Sequence, residues 1–344
     1  MQHLLARAKW DAGGVRDDVR DYVIGHLGDP DAVLVMDETG DVKKGTASAG
    51  VQRRYTGTAG RIENAQVAVY LGYATRRGHT LIDRELYQPK SWTGDPGRCE
   101  AAGIPADVTF ATKPQLAREM IERTITAEVP FAWVAGDEVY GDNGSLRTRL
   151  EARQIRYVLA VACDHRVPAG AGHALRADEL AARLPRRAWQ RLSAGTGAKG
   201  QRWYDWAWAT VSDPGPGFRY LLIRRNRRTS ELAFYSCFSP QPVTLATLVT
   251  VAGLRWTSWY RWATLAMLAA AVLTIAAAIE RARDPGPAQI PLTRNEIAHL
   301  LASTIISPAH DTSHRIRWSH WRRRHQHRAR TCHYQRQTAQ DQGT

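Results

Sequence analysis

The chain has 344 residues, enough to bury a full hydrophobic core, and carries a formal net charge of +14 at pH 7. Of its 47 basic residues only 6 are lysines, so the excess is made of guanidinium groups, which pair with phosphates in a bidentate way. This balance favours a polyanionic partner, above all nucleic acid, although a high-GC coding bias would also enrich arginine and alanine.

Cysteine spacing and hydropathy exclude several other classes of protein. The four cysteines form no C-x-x-C pair, which argues against structural zinc and fits a reducing cytoplasm. Residues 1–10 lack the continuous apolar region of a signal peptide. The uncharged residues 263–279 are marginal for a membrane span, so we expect a buried core helix there and no membrane contact.

Strand and helix patterns follow one another through the first 165 residues in an order that indicates an α/β fold. The predicted elements, in chain order, are a helix over 1–29, a strand over 32–36, a β-hairpin over 67–87, a helix from 113, a strand over 131–135, a helix over 145–153 and a strand over 157–161. Three antiparallel-type strands followed by helix, strand, helix and strand is the order of an RNase H-like core. We therefore expect a mixed sheet flanked by helices.

The second half of the chain predicts an antiparallel β insertion, further helices and a basic tail. Tyr204, Trp206 and Trp208 share one face of a strand; such a row can stack on bases, but packing within the sheet is the commoner role. The basic tail, with Arg322, Arg323 and Arg324, is either a phosphate-binding arm or a solvated disordered segment. The expected organisation is a helical N-terminal remnant over 1–29, the first part of the core over 30–165, the insertion over 166–242, a helical completion of the core over 243–303 and the tail over 304–344.

Two apolar runs end in acidic residues and carry the chemistry of interest. One is Val-Leu-Val-Met-Asp37-Glu-Thr-Gly40, and the other is Phe-Ala-Trp-Val-Ala-Gly136-Asp137-Glu138. Paired strand-end carboxylates suit two-metal phosphoryl transfer, because Mg²⁺ takes hard oxygen ligands. A buried strand also ends in aspartate at ordinary turns, so the pattern by itself leaves both interpretations open.

Two other kinds of phosphate-binding motif have partial matches in the chain. The stretch from Gly40 to Thr46 lacks the lysine that a P-loop requires directly after its second glycine, and is rejected. Gly136-Asp137 with Asp142, together with Lys113, is similar to the acidic loop and lysine of haloacid-dehalogenase-like phosphatases. That group needs a second aspartate two positions after its nucleophile, where this chain has Thr39.

Several motifs together resemble bacterial insertion-sequence transposases of the DDE superfamily, whose RNase H-like catalytic domain is interrupted by a β insertion. They are Met36-Asp-Glu-Thr-Gly40, the run from Tyr55 to Gly60, Asn64-Ala-Gln66, Lys113-Pro114 and Gly136-Asp-Glu-Val-Tyr-Gly141. The resemblance implies that Asp37 and Asp137 are catalytic ligands of Mg²⁺ or Mn²⁺. It also implies double-stranded DNA, transposon ends and target, as partner, and a homo-oligomer on DNA. DNA would contact Lys43, Lys44, Arg53, Arg54, Arg61, Lys113 and the three tail arginines.

The chain departs from this family pattern at the third catalytic acid. The family places a glutamate on the helix just beyond the Arg-Trp pair that matches Arg255-Trp256, whereas no Asp or Glu occurs here between Glu231 and Glu280. Glu280 is a weak substitute, because it lies at the far end of a predicted helix about 30 Å long. We therefore expect a transposase that is internally deleted, truncated at its N-terminus and defective in DNA cleavage and strand transfer. The alternative is a DNA-binding repressor of transposition without catalysis.

Overall fold

The computed structural model describes residues 11–56, 60–169, 173–197, 200–212 and 215–253, together with residues 296, 297, 300, 313, 316–324, 326, 327 and 331. Within this part of the chain, ten strands form one mixed sheet and two form a separate short hairpin. The strands are β1 (Val33–Val42), β2 (Gln52–Thr56), β3 (Arg61–Ala74), β4 (His79–Leu86), β5 (Trp133–Gly136), β6 (Arg156–Val161), β7 (Arg166–Pro168), β8 (Ala174–Arg176), β9 (Gln190–Gly197), β10 (Gly200–Thr210), β11 (Phe218–Arg225) and β12 (Leu232–Ser239).

The centre of the sheet is mixed, as the sequence predicts. β1 pairs antiparallel with β3, and β4 pairs antiparallel with β3. On its other edge β1 pairs in parallel with β5, which pairs in parallel with β6. The order β4-β3-β1-β5-β6 is mixed, and the RNase H-like α/β prediction is confirmed.

The β-rich second half of the chain continues this same sheet. β12 adds to β6 in antiparallel orientation, and β11, β10 and β9 follow as successive antiparallel neighbours. The expected aromatic row serves packing: Trp206 is fully buried and Trp208 stacks on Tyr220 with ring centroids 4.7 Å apart. The boundaries proposed for the insertion and the other segments stay predictions.

Helices cover both faces of the sheet, and their ends follow local sequence signals. Thr112 and Gln115 form a reciprocal capping box that begins one helix, with Pro114 in its first turn. The helices are α1 (Ala12–Leu27), α2 (Lys90–Thr93), α3 (Pro96–Ala101), α4 (Lys113–Thr126), α5 (Glu138–Gly141), α6 (Gly144–Ala152), α7 (Ala177–Ala182) and α8 (Leu245–Ala252). In the described part of the chain, no helix combines the length and apolarity needed to cross a bilayer.

The alternation of β1 separates two cores. Leu34 and Met36 face the core that includes buried residues of α1 and α4. Val33 and Val35 face the second core, which includes buried residues of α8. Because side chains alternate along a strand, Asp37 continues the α8 side and Glu38 continues the α4 side.

One predicted boundary is wrong. The strand expected over 32–36 continues to Val42, so Asp37 lies within β1 and not at its end. The extension exists because β3 is long enough to pair with β1 as far as Val42 and Ala65. The predicted apolar helix over 263–279, Arg255-Trp256 and Glu280 lie outside the described residues.

Candidate metal centre

Asp37 and Asp137 are brought together by the parallel pairing of β1 and β5. This pairing ends with Met36 opposite Gly136, so each aspartate is the next residue beyond its strand's last parallel partner. Asp137 then caps the short helix α5, since its Oδ1 accepts a hydrogen bond of 2.9 Å from the backbone N–H of Val139. The Oδ1 atom of Asp37 accepts a bond of 2.7 Å from the N–H of Glu38.

Glu38 completes a cluster of three carboxylates. One oxygen from each of Asp37, Glu38 and Asp137 lies within 4.8 Å of the others. Glu38 reaches the cluster from the α4 side of the sheet, where it forms a salt bridge with Lys113 and accepts a hydrogen bond of 2.9 Å from the Tyr140 hydroxyl. The salt bridge is largely removed from solvent, with side chains 18% and 12% exposed.

Three carboxylates lie close together in the cluster, and this crowding affects the pKa values of its members. Burial raises the pKa of Asp37 to about 7, and the neighbouring charges of Asp137 and Glu38 add to the effect. Asp137 lies at the exposed rim, yet partial desolvation of its carboxyl and the charge of Glu38 raise its pKa to about 6. Burial and the same carboxylates hold the pKa of Tyr140 well above its usual value, so its hydroxyl remains a donor to Glu38.

The donor set fits a divalent cation with hard-ligand preference. Oxygen ligands of one Mg²⁺ lie at about 2.1 Å from the ion, so two of them are at most about 4.2 Å apart. The 4.8 Å limit of the cluster is close to this value. Burial and the like charge of neighbouring carboxylates raise these pKa values, and a bound Mg²⁺ or Mn²⁺ would supply positive charge that favours the deprotonated ligands.

The predicted DNA-binding residues near β1 lie on the surface beyond the metal centre. Lys44 and Arg53 are exposed, and Arg54 is half-buried. Lys43 pairs with Asp41 at 2.7 Å, and Arg61 pairs with Glu63 at 2.7 Å. Lys113 instead lies within the carboxylate cluster, where it contacts Glu38. Contact of these residues with DNA stays a prediction.

The three tail arginines differ from one another. Residues 316–324 are helical; Arg322 pairs with Glu296 at 3.0 Å and stacks over Trp318, Arg323 is buried, and Arg324 is exposed. A helical conformation in this stretch favours an ordered element over the disordered tail that the sequence left open. Whether these arginines bind DNA stays a prediction.

Asp142, which the phosphatase alternative assigned to a metal-binding loop, has a structural role. It accepts a hydrogen bond of 3.1 Å from the backbone N–H of Ala162 and contacts the ring of His165 at 3.0 Å. These contacts fasten the segment after α5 to the end of β6. Asp142 is therefore not one of the three clustered carboxylates.

Glu38 and Tyr140 are the members of the site that sequence reasoning did not assign. The adjacent acids in Asp37-Glu38 were a signal for the first of them. The partners that position Glu38, however, lie 75 and 102 residues away along the chain. No local pattern shows that Lys113 and Tyr140 converge on it.

Comparisons with known proteins agree with this geometry. A sequence model of the DDE superfamily endonuclease family matches residues 1–209, and the chain belongs to that family. It is also similar to a probable transposase for insertion sequence element IS701 from Microchaete diplosiphon, with 28% identity over 169 residues. This match covers 48% of the chain and 41% of that relative, so the chain spans about two fifths of the relative's length.

Proposed function

We propose that this chain is a transposase-type protein that binds double-stranded DNA with its phosphate backbone at the Asp37–Asp137 centre. The observation that carries the proposal is the placement of two carboxylates side by side where the parallel pairing of two strands ends, Asp37 within β1 and Asp137 directly after β5. The net charge of +14 and the family relationship support a DNA substrate. Transposon ends and target DNA are the proposed substrates, and the bacterial cytoplasm is the proposed location.

Asp37 and Asp137 would hold Mg²⁺ or Mn²⁺, with their deprotonated oxygens as ligands. The chemistry that such ions would supply there is activation of an attacking water or 3′-hydroxyl and stabilisation of the leaving oxygen. Lys113 holds Glu38 on the α4 side of the sheet, and its cation also lowers the pKa of both aspartates, against the stronger effect of burial. The exposed basic residues of the neighbouring strands would bind flanking phosphates.

We further propose that cleavage and strand transfer are impaired in this chain. No Asp or Glu occurs between Glu231 and Glu280, where the family pattern places its third acid. Glu38 does not replace that acid, because its carboxylate is already engaged by Lys113 and by Tyr140. A centre with two firmly available ligands would bind metal weakly and position the nucleophile poorly.

Nicking of supercoiled plasmid DNA in Mg²⁺ or Mn²⁺ tests this proposal. The expected result is DNA binding by the chain, with nicking close to background and no greater in the wild type than in Asp37→Ala. Asp205→Ala is the matched control, because Asp205 pairs with Arg225 on β10 and β11, away from the cluster. Robust metal-dependent nicking that Asp37→Ala abolishes and Asp205→Ala preserves would overturn the proposed defect.

A second candidate, a repressor that occupies transposon ends without cutting them, is favoured by the same combination of basic charge and missing acid. It predicts sequence-specific DNA affinity that survives Asp37→Ala. Electrophoretic mobility shifts with end-derived and unrelated duplexes at several salt concentrations distinguish the cases. Equal affinity for both duplexes with a steep salt dependence would contradict the repressor function. Sedimentation of the complexes would show whether the chain is an oligomer on DNA.

A further inference from the structure

A two-stranded ribbon extends the sheet beyond the metal centre and exposes apolar side chains to solvent. It consists of β2 and the first residues of β3, with Tyr55 opposite Ile62 and Arg53 opposite Asn64. Tyr55 is 64% exposed and Ile62 is 57% exposed, the highest values of any large hydrophobic residue in the described part of the chain. Residues directly opposite in an antiparallel pair share a face, so these two form one apolar contact surface.

The ribbon is surrounded by positive charge. Residues 41–65 contain five basic side chains and only two acidic ones, which leaves a net charge of +3. The two acids, Asp41 and Glu63, each pair with a basic neighbour. An exposed apolar pair on a cationic strand pair complements a polyanion that also presents apolar groups. Duplex DNA does so through the thymine methyl groups of its major groove, and an acidic protein surface fits less well.

The strand register gives the position of this surface relative to the metal centre. Asp37 pairs with Tyr70, and Ile62 lies eight residues further along β3 on the same face by alternation. At about 3.3 Å per residue this separation is about 26 Å. The rise of duplex DNA is about 3.4 Å per base pair, so for a duplex whose axis runs along β3 the distance corresponds to about eight base pairs.

We infer that the β2–β3 ribbon enters the major groove about eight base pairs from the phosphate bound at Asp37 and Asp137. A two-stranded ribbon fits a groove about 12 Å wide, and Tyr55 and Ile62 contact base edges and thymine methyl groups there. Arg53 and the neighbouring basic residues bind the phosphates on either side. This inference rests on the proposed function: the groove contact needs duplex DNA as the partner, and the distance in base pairs also needs a phosphate at Asp37 and Asp137.

The experiment introduces a crosslink and a cut into the same DNA molecule and measures the distance between them. The photo-crosslinking residue p-benzoylphenylalanine replaces Tyr55. Fe²⁺ is added to the full chain with hydrogen peroxide, which it reduces to hydroxide and hydroxyl radical at the carboxylate cluster, and ascorbate reduces the resulting Fe³⁺ back to Fe²⁺. The probe is a 60-base-pair duplex of mixed sequence, and sequencing of single molecules gives the separation of cut and crosslink. The matched control carries the crosslinker in place of Trp203, an exposed aromatic residue on β10. Asp37→Asn and Asp137→Asn control for cutting at the cluster.

The inference predicts crosslinks from position 55, and at least fivefold fewer from position 203, separated from the iron-dependent cuts by about eight base pairs. Localised cuts that require Asp37 and Asp137, without crosslinks from position 55 at that spacing, would overturn the inference and leave the proposed function intact. Absence of localised cuts would overturn the proposed function and the spacing. The groove contact would then be refuted by equal crosslinking from positions 55 and 203.

The double variant Tyr55→Ala, Ile62→Ala provides an independent measurement. Both side chains are exposed, so the variant is expected to fold, and circular dichroism checks this. The predicted effect is a tenfold or greater loss of affinity for the mixed-sequence duplex, with Phe218→Ala, another exposed aromatic position, unchanged. Unchanged affinity in the folded double variant would contradict the groove contact, and loss of binding to a protein partner alone would point to a protein surface.

Discussion

Replacing Asp37 with asparagine should stabilise the metal-free protein at alkaline pH. Folding raises the pKa of Asp37 from an ordinary 3.8 to about 7, so the folded state disfavours the charged carboxylate that the unfolded chain tolerates. Because its pKa is higher in the folded state, the Asp37 carboxyl contributes to stability fully below about pH 4. This contribution is lost as the pH rises through about 7. Asparagine avoids this loss and keeps the oxygen that accepts the Glu38 N–H bond.

The size of the effect follows from the same values. A difference of about three pKa units, at about 1.4 kcal/mol each, sets a ceiling of ~4 kcal/mol on the destabilisation. Solvent screening and the sharing of protons with Asp137 reduce it, and we expect about 1–2 kcal/mol at pH 8. For a chain of 344 residues that corresponds to a rise in melting temperature of about 1–3 °C.

Thermal unfolding of the wild type and Asp37→Asn in EDTA, from pH 4 to pH 9, measures this difference. The melting temperatures should coincide near pH 4, diverge up to about pH 7 and stay apart above it. Mg²⁺ should stabilise the wild type more than the variant. Asp205→Asn, which removes an ion pair with Arg225, should not stabilise the protein at any pH. A stability difference that does not change with pH would refute the electrostatic account of the cluster.

Three further substitutions test how the site is held. Gly141→Ala should lower stability by roughly 3 kcal/mol or more in urea unfolding, because its Cβ would lie 1.8 Å from the carbonyl oxygen of Ala160; a wild-type midpoint would contradict the packing. Tyr140→Phe should lose about 1–2 kcal/mol, since Glu38 loses a charged hydrogen bond, and unchanged stability would contradict that bond. Lys113→Met should raise the carboxyl pKa values of the two aspartates in NMR titration, and lower values would show that its cation acts elsewhere.

The sequence predicts the centre of this fold well because its signals are local. Apolar runs that end in Asp37 and Asp137 identify two buried strands, and the order of strands and helices identifies the sheet that pairs them. The capping box at Thr112 marks the beginning of α4. In each case residues that are close together in the sequence are enough to predict the strand or the start of the helix.

The remaining features depend on pairing between distant segments. β1 continues past Gly40 through charged residues typical of a loop, because β3 supplies partners as far as Ala65. The ribbon strand around Tyr55 shows no core-directed alternation, since its apolar side chain faces solvent. Glu38 should point away from Asp37 by alternation, and its approach to the cluster depends on contacts with α4 and α5.

Binding of Mn²⁺ followed by electron paramagnetic resonance tests the central claim most directly. Titration at pH 8 should show Mn²⁺ bound by the wild type, at least tenfold weaker binding by Asp37→Asn and Asp137→Asn, and unchanged binding by Asp205→Asn. Binding by the wild type should weaken as pH falls below about 7, because protons compete for the raised carboxyl groups. Equal Mn²⁺ affinity in the wild type and both cluster variants would contradict a metal centre at these aspartates.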